Sequence, residues 1–329
     1  MASIGKKQQR QLNKTSSLDA MEHEIHNLVE DLPGFASALS KNHRFRHIDP
    51  SSMVFTGSGD SFAGSLFAHY LSGMEAFAAD PNELRLNPQV TKNKTLFITS
   101  ISGRTRTNIQ LAKRVKGLAK TRVAITANTE SPLARECGDV IQLRYRNVGT
   151  LTAGTASFSA SLLAVASLIR RLPKLDCLRM MERGAAESAR RSRVYPRGEF
   201  LFVGSGLGYS LAMYAAFKIQ EVLGLPAQYQ HTEQLGHSQL FSVLKNRDNL
   251  FFLAPSLDEK TRDVFRVLSN NGFNVYLLKS DRRDPILGTL QVMFCVQHLV
   301  LYLGRKLGLQ ECAFLADKKR LALSSRLIY

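Results

Sequence analysis

Phe55-Thr56-Gly57-Ser58-Gly59 recurs as Phe202-Val203-Gly204-Ser205-Gly206, and each copy leads into a long apolar-periodic segment. A hydrophobic strand, a Gly-Ser-Gly turn and a helix start make a place where backbone N–H groups can meet an anion. Two copies roughly half a chain apart imply two α/β units of one kind rather than a single site on a unique fold.

Working outward from the first copy, Met53–Thr56, Leu96–Ser100, Val123–Thr126 and Val140–Leu143 read as strands. Ser61–Leu71 and about Thr107–Leu118 read as the helices between them. A helix from Leu18 carries Met21, Ile25, Leu28, Val29 and Leu32 at helical spacing and stops before Pro33. Thr155–Leu172 is apolar and helical, and the charged stretch Glu182–Arg193 reads as a bridging helix. The second half repeats the order with strands Phe200–Val203, Asn249–Ala254 and Val275–Lys279, alternating with helices Ser210–Val222, Glu259–Asn270 and Val292–Leu303. The offsets between matched strands stay close to one another, which argues for internal duplication. Strands alternating with helices imply doubly wound parallel sheets covered on both faces, with ligands beyond the carboxyl ends of the strands.

The division expected is a disordered basic start over 1–17, a first domain with its N-terminal helix over 18–173, a linker helix over 174–197, and a second domain with a C-terminal tail over 198–329. A chain of 329 residues can bury about three quarters of its unfolded surface, so the core needs no staples. No uninterrupted apolar run reaches the ~18 residues of a membrane span, and residues 1–20 lack the apolar stretch of a signal peptide. A cytoplasmic location with no membrane partner is the expectation. The four cysteines, Cys137, Cys177, Cys295 and Cys312, form no C-x-x-C pair, so neither metal nor disulfide use is expected. The net charge of +17 favours anionic ligands, but no recognition motif accompanies it, so nucleic acid is not the expected partner.

The two loops after the first strands carry the candidate phosphate chemistry. Gly57-Ser58-Gly59-Asp60-Ser61 follows one, and Ser100-Ile101-Ser102-Gly103-Arg104-Thr105 ends the next. Hydroxyls and N–H groups at a helix N-terminus suit a phosphate dianion, whereas such a loop read alone is a turn and an N-cap. In the second half, Lys218 and Glu221 are three apart and share a helix face. His237 lies sixteen residues beyond Glu221 (237 − 221). Read alone, these are an exposed ion pair and an ordinary loop histidine. Moving a proton between adjacent sugar carbons needs a base over both, and a carboxylate serves where a dry site raises its pKa. Imidazole can open a sugar ring near neutral pH.

The pairing of S-x-S-G-x-T with an upstream G-x-G-x-S-x-x-A-G resembles the sugar isomerase (SIS) domain, over roughly residues 18–325, starting from Met21-Glu22-x-Glu24-Ile25. The tandem arrangement resembles the isomerase half of glucosamine-6-phosphate synthase, and implies two SIS-type, flavodoxin-like domains. The resemblance implies that Ser61, Ser100, Ser102 and Thr105 bind a substrate phosphate. Gly57, Gly59, Thr152 and Gly154 would then line the sugar. Glu221 would move the proton between C1 and C2, His237 would open the ring, often from a neighbouring subunit, and Lys218 would balance enolate charge. A homodimer with a shared site, a small phosphosugar ligand and no cofactor are implied with it. Six positions depart from the family: Ile101 stands for a glutamine, Arg104 and Arg106 for acidic residues, Tyr214 for a glutamate, Ala156 for a lysine, and Leu323 for the tail lysine that forms an imine, with Lys318 or Lys319 as its substitute if the tail is shifted. The glutaminase part of the synthase is not expected here, so glutamine is not the expected nitrogen source. Two functions stay open on these residues: a phosphosugar aldose–ketose isomerase or amino-sugar phosphate isomerase/deaminase working through an enediol(amine), or a phosphosugar-binding regulator without catalysis.

Overall fold

The computed structural model describes residues 15–41, 44, 45 and 47–329; the expected basic start lies outside these up to residue 14. Among the described residues, nine strands form two fully parallel sheets. They are β1 (Met53–Gly57), β2 (Phe77–Ala78), β3 (Thr95–Thr99), β4 (Thr121–Thr126) and β5 (Gly138–Gln142) in the first, and β6 (Phe200–Gly204), β7 (Ala227–His231), β8 (Asn249–Ala254) and β9 (Val275–Lys279) in the second. Their orders are β2-β1-β3-β4-β5 and β7-β6-β8-β9. The longer helices are α1 (Ser17–Lys41), α2 (Asp60–Leu71), α3 (Arg106–Arg114), α4 (Ala156–Ile169), α5 (Leu178–Arg191), α6 (Leu207–Lys218), α7 (Glu259–Asn270), α8 (Pro285–Lys306) and α9 (Lys318–Ile328). The α/β class with parallel sheets is as the sequence implied.

The central strands β1, β3, β6 and β8 are buried along their whole length, as two-face coverage requires. Their apolar runs are correspondingly unbroken rather than alternating. One hydrophobic cluster joins the two sheets: Phe55 and Phe97 of the first and Phe202 and Phe251 of the second share it with α1, α4, α6 and α8. Phe55 stacks on Phe97 at 5.0 Å and Phe202 on Phe251 at 5.2 Å. The helices between the sheets therefore bring the loops of one half against the loops of the other.

Several element readings change. The first helix does not stop before Pro33 but runs through it to Lys41. Proline removes one helical N–H, and burial of Phe35, Ala36 and Leu39 beyond it offsets that loss. Strands β2 and β7 are additions; at two residues, and at one buried residue in five, neither carries an apolar run. Helix α8 is long and apolar enough to span a bilayer by length and composition, but 78% of its apolar window is buried inside the protein. It packs on α5, α6 and α1 as a core helix. The expected helix over 210–222 divides: α6 ends at Lys218, and Ile219–Leu223 is a single π turn ending at Gly224 in the left-handed region.

Candidate active site

Two helix N-termini meet at the carboxyl ends of β1 and β3. Gly59 precedes α2 with φ +60°, a conformation that glycine adopts at little cost, and caps it with no side-chain hydrogen bond. Thr105 precedes α3, again with no side-chain cap. The free N–H groups of both first turns leave partial positive charge at one spot. Around them lies a cleft of about 610 Å³ bordered by Gly59, Asp60, Ser61, Ser100, Ser102, Thr105, Asn108, Gly154 and Glu221. Ser100 Oγ and Thr105 Oγ1 are 3.2 Å apart, so they share a hydrogen bond across the loop. Ser102 Oγ accepts from the Arg104 N–H at 3.3 Å. Asn108 donates through Nδ2 to the Thr99 carbonyl at 3.4 Å and leaves Oδ1 buried without a partner. Hydroxyls and uncapped amides grouped in this way can hold a phosphate dianion.

The opposite wall comes from the second half. Lys218 is fully buried, and its Nζ donates to Asp60 Oδ2 at 2.7 Å and to Glu221 Oε2. The same ammonium lies 5.3 Å from the centre of the Tyr214 ring. Paired with two carboxylates, Lys218 is held far above the usual lysine range although burial opposes this. Burial pushes Asp60 up to about 7; Lys218 opposes the rise and the Glu221 carboxylate adds to it. Glu221 stands on the π turn with its side chain 41% exposed toward the cleft. A π turn is a frequent companion of functional sites because it re-aims side chains off the regular helix.

The turn before α4 is fixed from both sides. Glu24 of α1 accepts from Thr155 Oγ1 and from the Ala156 N–H (3.2 Å), capping α4. Burial raises its pKa, although these hydrogen bonds work against that. Tyr214 stacks on Phe158 at 3.8 Å and donates to the Gly154 carbonyl at 3.1 Å. A Cβ at Gly154 would lie 2.8 Å from Asp60 Oδ2. The absence of a side chain at 154 is what lets the Asp60 carboxylate sit there.

Most of the expected residues therefore meet in one place: Ser61, Ser100, Ser102, Thr105, Gly59, Gly154 and Glu221 all border the cleft. Thr152 borders an adjoining compartment of about 570 Å³, which also includes Asp60, Gly154 and Glu221, and it donates to the Ser17 carbonyl at 2.8 Å. Gly57 lies behind the wall as the last residue of β1, where a Cβ would be 2.6 Å from Ser61 Cβ. Lys218 is enclosed behind Asp60 and Glu221 rather than lining the cleft. His237 borders neither compartment; its ring is 69% exposed and lies 3.5 Å from Glu233. Within one chain it is not brought to the cleft. Leu323 is exposed, and neither Lys318 nor Lys319 borders the cleft, while Leu327, Ile328 and Tyr329 close one side of it. Arg106 holds that side through the Tyr329 carbonyl at 3.1 Å.

Asp60 and Asn108 are the residues the sequence reading passed over. Asp60 stood inside the quoted turn, and its charge beside a phosphate loop was the available signal. Its partner is 158 positions away, and no local spacing could reveal that.

Residues 48–171 match the family model of the SIS domain. The chain is 26% identical over 264 residues to the glutamine–fructose-6-phosphate aminotransferase (isomerizing) of Legionella pneumophila, covering 72% of this chain and 43% of that protein. It thus spans less than half the length of the curated relatives it matches. Among solved structures, it superimposes on glucosamine-6-phosphate deaminase from Thermotoga maritima with a TM-score of 0.73 at 17% identity, covering 88% of this chain and 96% of the other. The C-terminal domain of glucosamine-fructose-6-phosphate aminotransferase from Francisella tularensis gives 0.68 at 16% identity, with 89% and 98% covered. The chain therefore carries an SIS domain over residues 48–171, within a two-sheet α/β fold that it shares with both solved structures.

Proposed function

We propose that this chain is a sugar-phosphate isomerase that works through an enediol or enediolamine. The phosphate sits on Ser61, Ser100, Ser102, Thr105 and the N-termini of α2 and α3, and Glu221 is the base between C1 and C2. The observation that carries this reading is that Glu221, from the second half, borders the same cleft as the four hydroxyls of the first. A cleft of several hundred Å³ has room for a hexose phosphate. Lys218 acts from behind the wall: it fixes the Glu221 carboxylate and offsets its charge without touching the sugar. The similarity to an aminotransferase that isomerises and, in fold, to a glucosamine-6-phosphate deaminase supports a phosphosugar ligand.

The test is exchange of solvent deuterium into C1 or C2 of fructose 6-phosphate or glucosamine 6-phosphate, followed by proton NMR. Glu221→Gln is expected to lose exchange by about a hundredfold or more, as for removal of a general base, while ligand binding stays within about threefold. Unchanged exchange in that variant refutes the base assignment.

A second reading, a regulator that binds a phosphosugar without turning it over, has one observation in its favour: the chain's own His237 stays out of the cleft. Tight binding by the wild type with no exchange in deuterated buffer would select it.

A further inference from the structure

A second hollow, of about 490 Å³, lies between α1 and α5. It shares no residue with either compartment of the cleft. His26 of α1, Arg146 from the stretch after β5, and Arg179, Glu182, Arg183 and Arg190 of α5 border it. Arg179, Arg183 and Arg190 fall at one-turn and two-turn intervals, so they share one face of α5. Between them stands Ala186, whose small side chain leaves the space.

The arginines differ in what holds them. Arg146 pairs with Glu30 and with Asp31 at 2.6 Å each, and Arg179 lies 3.7 Å from the other Glu30 oxygen. Arg183 and Arg190 are exposed and have no ion pair or side-chain hydrogen bond among the described residues. Glu182 does not serve them. It is buried, and His26 Nδ1 and His298 Nε2 lie 2.9 Å and 2.8 Å from its Oε1. Burial opposes its ionisation, but the imidazoles of His298 and His26 hold it below the usual glutamate range. Arg179 and Arg183 are like charges one turn apart, an arrangement that weakens a helix unless an anion offsets it.

A guanidinium is a fork of N–H donors that takes phosphate oxygens in pairs. Arg183 and Arg190 are about 10 Å apart along the helix axis. Two long side chains can close that span onto neighbouring phosphates, whereas a single phosphate engages one of them fully. The volume is that of a small-molecule site. Apart from the His26 imidazole, its walls offer no aromatic ring on which a nucleobase could stack.

We propose that this hollow binds a small anion with two phosphoryl groups, of the pyrophosphate or sugar-bisphosphate kind. Arg183 and Arg190 are its principal donors, with Arg179 beside them. The site is separate from the cleft and stands whether or not the cleft isomerises a sugar.

The experiment is a calorimetric titration with pyrophosphate at about 50 mM salt, where exposed charges are little screened. The starting protein carries Ser102→Ala and Thr105→Ala, so that the candidate phosphate loop of the cleft contributes little. Pyrophosphate is expected to bind it, and inorganic phosphate to bind at least tenfold more weakly. Adding Arg183→Ala and Arg190→Ala should weaken pyrophosphate by about tenfold or more, the scale of lost hydrogen bonds to a charged group. Adding Arg114→Ala and Arg135→Ala instead, two exposed arginines that border neither the hollow nor the cleft, should change binding by less than about threefold. Equal weakening by the two pairs would overturn the proposal and reduce the effect to net charge. No pyrophosphate binding, or binding untouched by Arg183→Ala with Arg190→Ala, would overturn it as well. So would inorganic phosphate binding as tightly as pyrophosphate. If the same pair instead changed the sedimentation of the protein and left pyrophosphate binding intact, the face would be a contact between copies and not a ligand site.

Discussion

Asp60→Asn gives a stability measurement whose sign and slope follow from the buried triad. In the folded chain Asp60 is pushed up to about 7, first by burial, against Lys218 and together with Glu221. The groups that face it are Lys218 and Tyr214 from α6 and Glu221 from the π turn. In the unfolded chain an aspartate titrates near 3.9. A folded-state pKa above the unfolded one means that Asp60's contribution is fully present below about pH 4 and is lost as pH rises through about 7. Between these limits the folded state holds one more proton than the unfolded state, so stability falls by about 1.4 kcal/mol per pH unit from this group alone. The asparagine of the variant does not titrate. The stability of the variant relative to wild type should therefore rise by about 1.4 kcal/mol per unit between roughly pH 4.5 and 6.5, and level off above about 7.5. Titrating groups remote from Asp60 are common to both proteins and cancel in the difference. Urea unfolding followed by far-ultraviolet circular dichroism at half-unit steps reads the slope. A difference that is flat with pH, or that moves in favour of the wild type, would refute the claim that the buried carboxyl keeps its proton toward neutrality.

Two further outcomes test the walls of the cleft. Ser102→Ala combined with Thr105→Ala should weaken phosphorylated ligands by about tenfold to a hundredfold, the scale of one or two hydrogen bonds to a charged group, and free sugars hardly at all; equal weakening in a calorimetric titration would make the loop a helix cap only. Gly154→Ala places a Cβ 2.8 Å from Asp60 Oδ2 and 3.1 Å from Ser157 Oγ, so it should cost about 1–3 kcal/mol of stability by overpacking and disturb the Asp60 carboxylate. A Gly154→Ala protein with wild-type unfolding and wild-type exchange would show that the contact gives way freely.

The parts of the fold that could be read from the chain are those held by local rules. Asn249–Ala254, Glu259–Asn270 and Val275–Lys279 appear in the structure residue for residue as the pattern placed them. An unbroken apolar run bounded by polar residues has few other solutions inside a parallel sheet. Pro33 misled because the rule against proline in helices is local, whereas the burial of Phe35 and Leu39 that carries α1 onward is tertiary. The split of α6 at Lys218 was hidden for a similar reason. Spacing places Lys218 and Glu221 on one face of an α-helix, but the π turn exists in the setting of Lys218 paired across the chain with Asp60. His237 illustrates the converse: a residue legible as chemistry in the sequence stands on an exposed turn beside Glu233.

The repeated Gly-Ser-Gly phrase invites the question of why the proposed anion cradle occurs once rather than twice. The answer lies in what fills each turn. In the first half the helix that follows the second strand of the pair, α3, begins at Thr105 with no side chain on its free amides. In the second half the matching helix, α7, begins at Asp258, whose carboxylate accepts from the Thr261 N–H at 2.9 Å and from its hydroxyl at 2.6 Å. A carboxylate already on those amides takes the place and the charge that a phosphate would need. Packing also draws α6 and α8 close to the end of β8, since a Cβ at Gly208 would lie 2.1 Å from the Leu253 carbonyl and one at Gly288 2.5 Å from that of Pro255. The second half thus has no second uncapped helix start beside its own turn, and contributes instead the π turn, Lys218 and Glu221 to the cleft of the first. Neither half alone holds both the proposed phosphate cradle and the proposed base. The ion pairs of Lys218 with Asp60 and Glu221 are where the two halves are joined into one site.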